Sequence, residues 1–353
     1  MMLRRVAITG MGIVSPLGNN PISFFQSLIV GTSGVNYLQA DFADQLECKI
    51  AAQVNFQALD HFESHQVGKL DRVTQFAVVA ARQGIKNAAL EFGNMNLSRC
   101  GVSLGTGMAA ASTLDAIYHS LYRQDVSRLK PFTLLTAMNN AAAAQIALEN
   151  KLSGPCLTYS TACASSAVAI GEAFRLIRHG YADTMIAGGA ESLLSYGCIR
   201  TWEALRTLAK VDVIDPATSC KPFSANRSGL VLGEGSGILI LEDWESAVSR
   251  SANILAELVG YGCTNDCSHI TQTSVAGQSA AMQAALRDAQ LQPADIGYIN
   301  AHGTGTVLND QVETAAIREV FKTFADQVPI SSTKSMHGHL LGAAAAVEII
   351  ACI

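Results

Sequence analysis

The chain of 353 residues carries a formal net charge of −5, with 49% hydrophobic and only 15% charged residues. Its length exceeds one ordinary core and implies two domains or two fused halves, and its apolar richness excludes a disordered chain. Acidity without a basic block excludes nucleic acid as the expected partner, and nine cysteines without framework spacing read as reduced thiols of a cytoplasmic protein.

The opening MMLRRVAITG has two arginines but no long apolar stretch before a cleavage site, so it reads as a first strand at 6–9 and not as a leader. Helical spacing follows at 75–92, where Phe76, Val79, Ala80, Ile85 and Ala89 fall near one side. Residues 101–107 read as a strand, 134–149 as an alanine-rich helix, 156–160 as a strand, 164–178 as a helix and 184–187 as a strand. Two further strands, near Leu230 and at 237–241, are expected to pair. A second set follows, with helices at 278–290 and 311–324 and strands at 296–300 and 328–331. Such alternation predicts layered α/β structure with mostly parallel sheets. No run reaches the roughly 18 apolar residues of a membrane span. The closing GAAAAVEIIACI rises into an apolar helix without cap, glycine or polar exit. Ile349, Ile350 and Ile353 are expected to be exposed unless something covers them, and the chain is expected to continue.

Three stretches carry chemistry. In STACASSAVAIGEAF, residues 160–174, Cys163 stands where a strand gives way to a helix apolar on most sides, from Ala167 to Ile177. Such a helix is buried, and its free N–H groups and positive dipole end favour a thiolate at its start. Small neighbours let a substrate approach, although a small core cysteine fits the position equally well. In YINAHGTGTVLNDQVE, His302 follows a strand; in SSTKSMHGHLLGAAAAVE, Lys334 and His339 do. Loops at strand ends are where α/β proteins hold their chemistry.

Other signals are weaker. GMGIVSPLG has the wrong spacing for a dinucleotide loop and Pro16 interrupts it, while GEGSG leads into a strand and not a helix. CTNDCSH offers three zinc ligands at most, and His337 and His339 stand two apart, poor spacing for a shared ion, so no metal is expected.

Taken together, the motifs resemble those of the beta-ketoacyl-acyl-carrier-protein synthases, the condensing enzymes of fatty acid and polyketide assembly. VAITGMGIVSPLG, STACASS, ADTMIAGGAES, SCKPFSANRSGLVLGEGSGILILE, NAHGTGT and TKSMHGHLLGAA follow one another in family order across nearly all the chain. The resemblance implies a thiolase-like α/β fold of five layers, α/β/α/β/α, with two related halves, here 1–245 and 246–353, the second incomplete. It implies that Cys163 accepts the acyl chain, that His302 and His339 complete a Cys-His-His set, and that Lys334 stands behind them paired with Glu313, with Asp310 alongside. Thr304 and Thr306 match threonines that bind the pantetheine arm, and Met108 a position that limits the acyl pocket. A glycine-rich gating turn of the family falls beyond Ile353. Asn309 and Ala345 stand where glycine is common, and His337 where a small hydroxyl residue is usual.

The activity so implied is a decarboxylative condensation of an acyl thioester with malonyl-acyl carrier protein. No free cofactor is expected, since substrates ride on the carrier's phosphopantetheine. The expected partners are acyl carrier protein and a second copy of the chain or a related ketosynthase subunit. The carrier is acidic in this family, so Lys69, Arg72, Arg206 and Lys210 are candidates for a local basic docking patch. Two alternatives stay open: a non-catalytic chain-length partner, and a non-decarboxylating thiolase, which needs a second catalytic cysteine that Cys352 is poorly placed to supply.

Overall fold

The computed structural model describes residues 3–123 and 129–353; Met1 and Met2 of the opening lie outside them. The elements that build the first sheet and cover one face of it are, in chain order, strand β1 (Val6–Val14), helix α1 (Arg72–Asn87), strand β2 (Cys100–Gly105), helix α2 (Ala141–Glu149) and strand β3 (Cys156–Tyr159), with shorter elements between them. Helix α3 (Ser165–Arg178), strand β4 (Thr184–Glu191) and strand β5 (Gly235–Asp243) follow, and short strand β6 (Ala256–Leu258), from beyond residue 245, joins their sheet. Helix α1 starts ahead of its periodic stretch because the Asp71 carboxylate caps it, accepting the Val73 N–H at 2.7 Å. The single helix expected over 134–149 is two, Thr133–Ala137 and α2, because Met138 is extended and the Asn139–Asn140 pair prefers turn geometry to a helix interior.

The six strands form one sheet in the order β3-β2-β4-β5-β1-β6. Strands β3, β2 and β4 are parallel, with Val102 opposite Cys156 and Ile186. The pairings β4–β5, β5–β1 and β1–β6 are antiparallel, so the sheet is mixed and not mostly parallel. The reason lies in the connection: Glu191 at the end of β4 pairs with Gly235 at the start of β5, so the intervening chain leaves and re-enters at one end without crossing over. The segment at Leu230 does not pair with β5. It makes single bridges, Leu230 to Leu208 and Leu232 to His339.

One face of the sheet is covered by α1 and α2 around Phe76, Val79, Leu104 and Ile146. The other is covered by α3, through Ile170, Phe174 and Ile177, and by the last helix, Ala344–Cys352, through Val347 and Ile350. The second half supplies helix α4 (Val275–Ala289), strand β7 (Ile299–Asn300), helix α5 (Val307–Phe321), strand β8 (Ile330–Ser331), the single turn α6 (Lys334–His337) and α7 (Ala344–Cys352). Strands β7 and β8 are parallel. Ile299 packs with α5, while the next residue, Asn300, reaches α7 by donating to the Glu348 carbonyl at 3.3 Å. The two-residue period of a strand thus puts α5 and α7 on opposite faces, and the layers read α/β/α/β/α. Ile349, Ile350 and Ile353 are not left open: Ile350 is buried and the other two pack against the same core. Among the described residues no helix is long and apolar enough to cross a membrane.

The two middle-layer helices begin alike. A 3-10 turn precedes each, Ala162–Ala164 before α3 and Leu341–Ala343 before α7. The first residue of each turn has positive φ, 51° at Ala162 and 40° at Leu341.

Candidate active site

Cys163 sits in the turn between β3 and α3, one turn ahead of the regular helix. Ser165 staples that turn: its hydroxyl accepts the Thr161 N–H at 2.9 Å and donates to the Ala162 carbonyl at 2.6 Å. The helix start presses on the end of β2, where a Cβ on Gly105 would lie 2.2 Å from the Ser165 carbonyl carbon. The positive φ of 51° at Ala162, next to the cysteine, is a strained conformation of the kind that is held in place only by its surroundings and gathers at functional sites.

His302 lies on the loop after β7. Glu313, in the second turn of α5, accepts the His302 N–H and the Gly303 N–H, each at 2.7 Å. Asp310, one turn earlier, accepts Gly305 N–H at 3.2 Å and Phe223 N–H at 2.7 Å. These carboxylates fold the loop. The Asn309 amide, in a glycine's place, donates to Glu313 at 3.1 Å and supports the same loop. The Thr304 and Thr306 hydroxyls are 2.8 Å apart, and the Thr306 hydroxyl caps α5 by accepting Asn309 N–H at 3.3 Å.

His339 is held through its backbone. Its N–H donates to the Val231 carbonyl at 2.7 Å, and its carbonyl accepts Gly233 N–H at 2.9 Å. The segment 230–233, read from sequence as a sheet strand, is thus a clamp on this histidine.

The three side chains meet. The Cys163 sulfur and one ring nitrogen each from His302 and His339 all lie within 4.8 Å of one another. The imidazoles are edge to face, with centroids 5.4 Å apart. Leu341 N–H donates to His339 Nδ1 at 3.0 Å, and the Lys334 ammonium stands 3.4 Å from His302 Nδ1. Donors on both Nδ1 atoms place the ring protons on Nε2. Each ring therefore offers a donor on its free edge, where a metal ion would need a lone pair.

Lys334 is fully buried. It donates to the His302 carbonyl at 2.7 Å and forms an ion pair with Glu348 of α7. Its partner is Glu348 and not Glu313, which is taken up by the backbone of residues 302 and 303. Burial first, then the Lys334 ammonium, pushes His302 down to about 3 and His339 well below its ordinary value. Both imidazoles are neutral at physiological pH.

The thiol runs against the expectation of a resting thiolate. Burial pushes Cys163 up to about 11, with Lys334 pulling the other way. Sequence shows the helix end but not the desolvation around it, and desolvation is the larger effect here. Alkylation of Cys163 by iodoacetamide is expected to accelerate about tenfold per pH unit between pH 7 and 10, because only the thiolate attacks. A plateau already reached at pH 8 in the rate–pH profile would show that the thiolate persists at rest.

Sequence reading passed over Glu191, at the end of β4. It is fully buried and accepts Gly107 N–H at 2.6 Å, Met108 N–H at 3.0 Å and Gly342 N–H at 2.9 Å. It thereby ties the loop after β2 to the turn that carries Leu341, beneath the cysteine. Burial pushes it up to about 6, against those three N–H groups. The signal available in sequence was a carboxylate ending an apolar strand.

Of the docking candidates, Lys69, Arg206 and Lys210 are exposed. Arg206 and Lys210 bracket Leu208, which bridges Leu230 close to the His339 clamp. Arg72 is different: its guanidinium grips the buried Glu234 carboxylate at 2.7 and 2.9 Å and lies over the Phe76 ring, so its charge is matched inside the fold. Met108 is partly exposed at the mouth of the Glu191 loop.

Family models for the N-terminal and C-terminal domains of beta-ketoacyl synthases match residues 3–247 and 255–353. Over 352 residues the chain is 41% identical to nodulation protein E of Rhizobium leguminosarum bv. trifolii, covering 100% of this chain and 86% of that protein. It is 39% identical over 350 residues to 3-oxoacyl-[acyl-carrier-protein] synthase 2 of Staphylococcus aureus (strain N315), covering 98% and 84%. Among solved structures, a type II PKS acyl-carrier protein in complex with its ketosynthase bound to the hexaketide superimposes with a TM-score of 0.89 at 32% identity, covering 99% of this chain and 86% of that one.

Proposed function

The chain belongs to the beta-ketoacyl synthase family, and from that premise we propose that Cys163, His302 and His339 carry out its condensation, with Lys334 as the positioning residue behind them. The reaction is a decarboxylative Claisen condensation of an acyl thioester with malonyl-acyl carrier protein, and the protein is an acyltransferase. The observation that carries the assignment of residues is the meeting of one sulfur and two imidazoles from three separate loops.

The reaction has two halves. The Cys163 sulfur attacks the acyl thioester carbonyl, a carbon–sulfur bond forms, and the carrier thiol leaves with the proton that Cys163 gives up. A thiol with its pKa pushed up to about 11 surrenders that proton as it attacks, and the proton passes to the departing carrier sulfur, because both imidazoles already hold their proton on the edge that faces the thiol. The Cys163 N–H, in the turn ahead of α3, is the donor expected to hold the oxyanion. In the second half the malonyl carboxylate departs as CO₂, and its bonding electrons pass into the thioester as an enolate. Two neutral Nε2–H donors suit the enolate oxygen: they stabilise it without protonating its carbon. That carbon then attacks the acyl-Cys163 carbonyl, the carbon–sulfur bond to Cys163 breaks, and Cys163 leaves as thiolate and takes a proton from solvent.

Substrates arrive on carrier phosphopantetheine, and no free cofactor enters these steps. Nine free cysteines suit a reducing, cytoplasmic setting. Strand β3 is an outer edge strand, and Phe132, Leu134, Leu135 and Leu148 are 57 to 73% exposed; a second copy or a related ketosynthase subunit would cover such a face. Against the thiolase reading, Cys352 lies in the last turn of α7, outside the cluster that holds Cys163.

The test is the mass of the intact protein after incubation with acyl carrier proteins, followed by malonyl-carrier protein. An acyl adduct on Cys163 that disappears as beta-ketoacyl carrier appears supports the reading; an adduct on another cysteine overturns it. Carrier docking is tested separately. Lys69→Glu and Arg206→Glu are expected to weaken carrier binding several-fold at low salt and less at high salt, as screened surface charges do. Affinity indifferent to both salt and reversal would dismiss the patch.

A further inference from the structure

His337 is fully buried two residues before His339 and is not one of the three side chains that meet at the thiol. Its Nδ1 lies 2.8 Å from the Gly338 carbonyl oxygen, which can only accept, so Nδ1 carries the proton. Its Nε2 lies 2.9 Å from the Thr333 hydroxyl and must accept from it. That hydroxyl in turn accepts from the Asn300 amide at 3.3 Å. Every donor in this chain points the same way, from Asn300 through Thr333 and His337 to the peptide bond that carries His339.

The two ends of the relay matter. Asn300 stands two residues before His302, at the end of β7, and the Gly338 carbonyl belongs to the peptide immediately before His339. Gly338 has a φ of +69°, and a Cβ there would lie 2.8 Å from that of Ala52, so only glycine fits this turn. The planar peptide is held on its N–H side by the Val231 carbonyl, and His337 holds it on its carbonyl side. We propose that His337 is a positioning residue that locks the Gly338–His339 peptide to the His302 loop, so that both imidazoles present their donors to one enolate oxygen.

This inference rests on the condensation reading given above. Burial pushes His337 down to about 3, so the relay keeps one direction through the working pH range. A neutral hydrogen-bonded ring can do what a small hydroxyl residue cannot: it reaches from Thr333 across to the carbonyl of the next residue.

The experiment measures two half-reactions on the intact protein: acylation of Cys163 by acyl carrier protein, and release of CO₂ from malonyl carrier protein. In His337→Leu, decarboxylation is expected to fall about 10²-fold through misaligned donors, with Cys163 acylation at the parent's rate. His337→Gln, whose amide can accept from Thr333 and donate to the carbonyl, should recover most of the loss. Thr333→Val, a change of nearly equal volume, should show the same split and serves should His337→Leu fail to fold. Equal losses in both half-reactions, or none in either, would overturn the positioning role. If the parent protein performed neither half-reaction, the condensation reading itself would fail.

Discussion

Replacing Cys163 with alanine is expected to abolish condensation, with a loss on the order of 10⁶-fold as for other nucleophile deletions, while malonyl decarboxylation continues. The two outcomes separate because the two halves of the reaction use different atoms. Acyl transfer needs the sulfur as both attacking and leaving group, and no other nucleophile shares the cluster of Cys163, His302 and His339. Decarboxylation needs hydrogen bonds to the enolate, and in the proposed mechanism these come from the imidazoles, which are fixed by Leu341 N–H, Lys334 and Glu313 without any help from the cysteine. Product analysis with radiolabelled malonyl carrier protein reads both. Beta-ketoacyl product from Cys163→Ala at the parent's rate would remove the nucleophile from the account, and loss of both activities together would show that the cysteine also shapes the enolate site.

The second large effect concerns the ion pair under the histidines. Lys334→Ala and Glu348→Gln are each expected to destabilise the fold by about 3–5 kcal/mol, because each leaves an uncompensated charge in a dry interior. Lys334 is fully buried, and the Glu348 side chain is only 12% exposed. Each change also frees the His302 loop, since Lys334 binds the His302 carbonyl and stands against its Nδ1. The double variant Lys334→Met/Glu348→Leu separates the two roles. Paired apolar replacements often restore stability, but they cannot restore the hydrogen bond that fixes the tautomer of His302. Denaturant unfolding should recover toward the parent in the double variant while decarboxylation stays low. Recovery of both would reduce Lys334 to a structural residue.

A pH dependence follows from Glu191. Burial raises this carboxyl to about 6 from an unfolded value of 4.5, so the folded state binds its proton more tightly between those values. Stability from this group is therefore greatest below about pH 4.5 and falls as pH rises to about 6. Activity should move in the opposite sense: protonation removes acceptor capacity from the N–H groups of Gly107, Met108 and Gly342. Condensation activity is expected to decline as pH drops through about 6, and a rate flat from pH 5 to 7 in the parent would show that the carboxylate is not needed ionised.

The family signature and the chemistry-bearing loops were legible in the chain itself. A cysteine among small residues at a strand-to-helix change, and histidines among glycines after short apolar runs, are local patterns, and local patterns fix backbone form. Partners were less legible. Lys334 was matched with Glu313, whereas α7 folds back over the second sheet and brings Glu348 to it. Residues near Leu230 had the composition of a sheet strand, yet the fold uses them to hold His339. Strand β5 had a strand's pattern, but its antiparallel direction depends on a connection that returns to the same end of the sheet. Sequence by itself determined which residue types stand at which turn. Only the tertiary structure decided their charge: a helix end favours a thiolate, but the burial that surrounds Cys163 raises its thiol instead, because desolvation depends on everything packed around an atom and not on its neighbours along the chain.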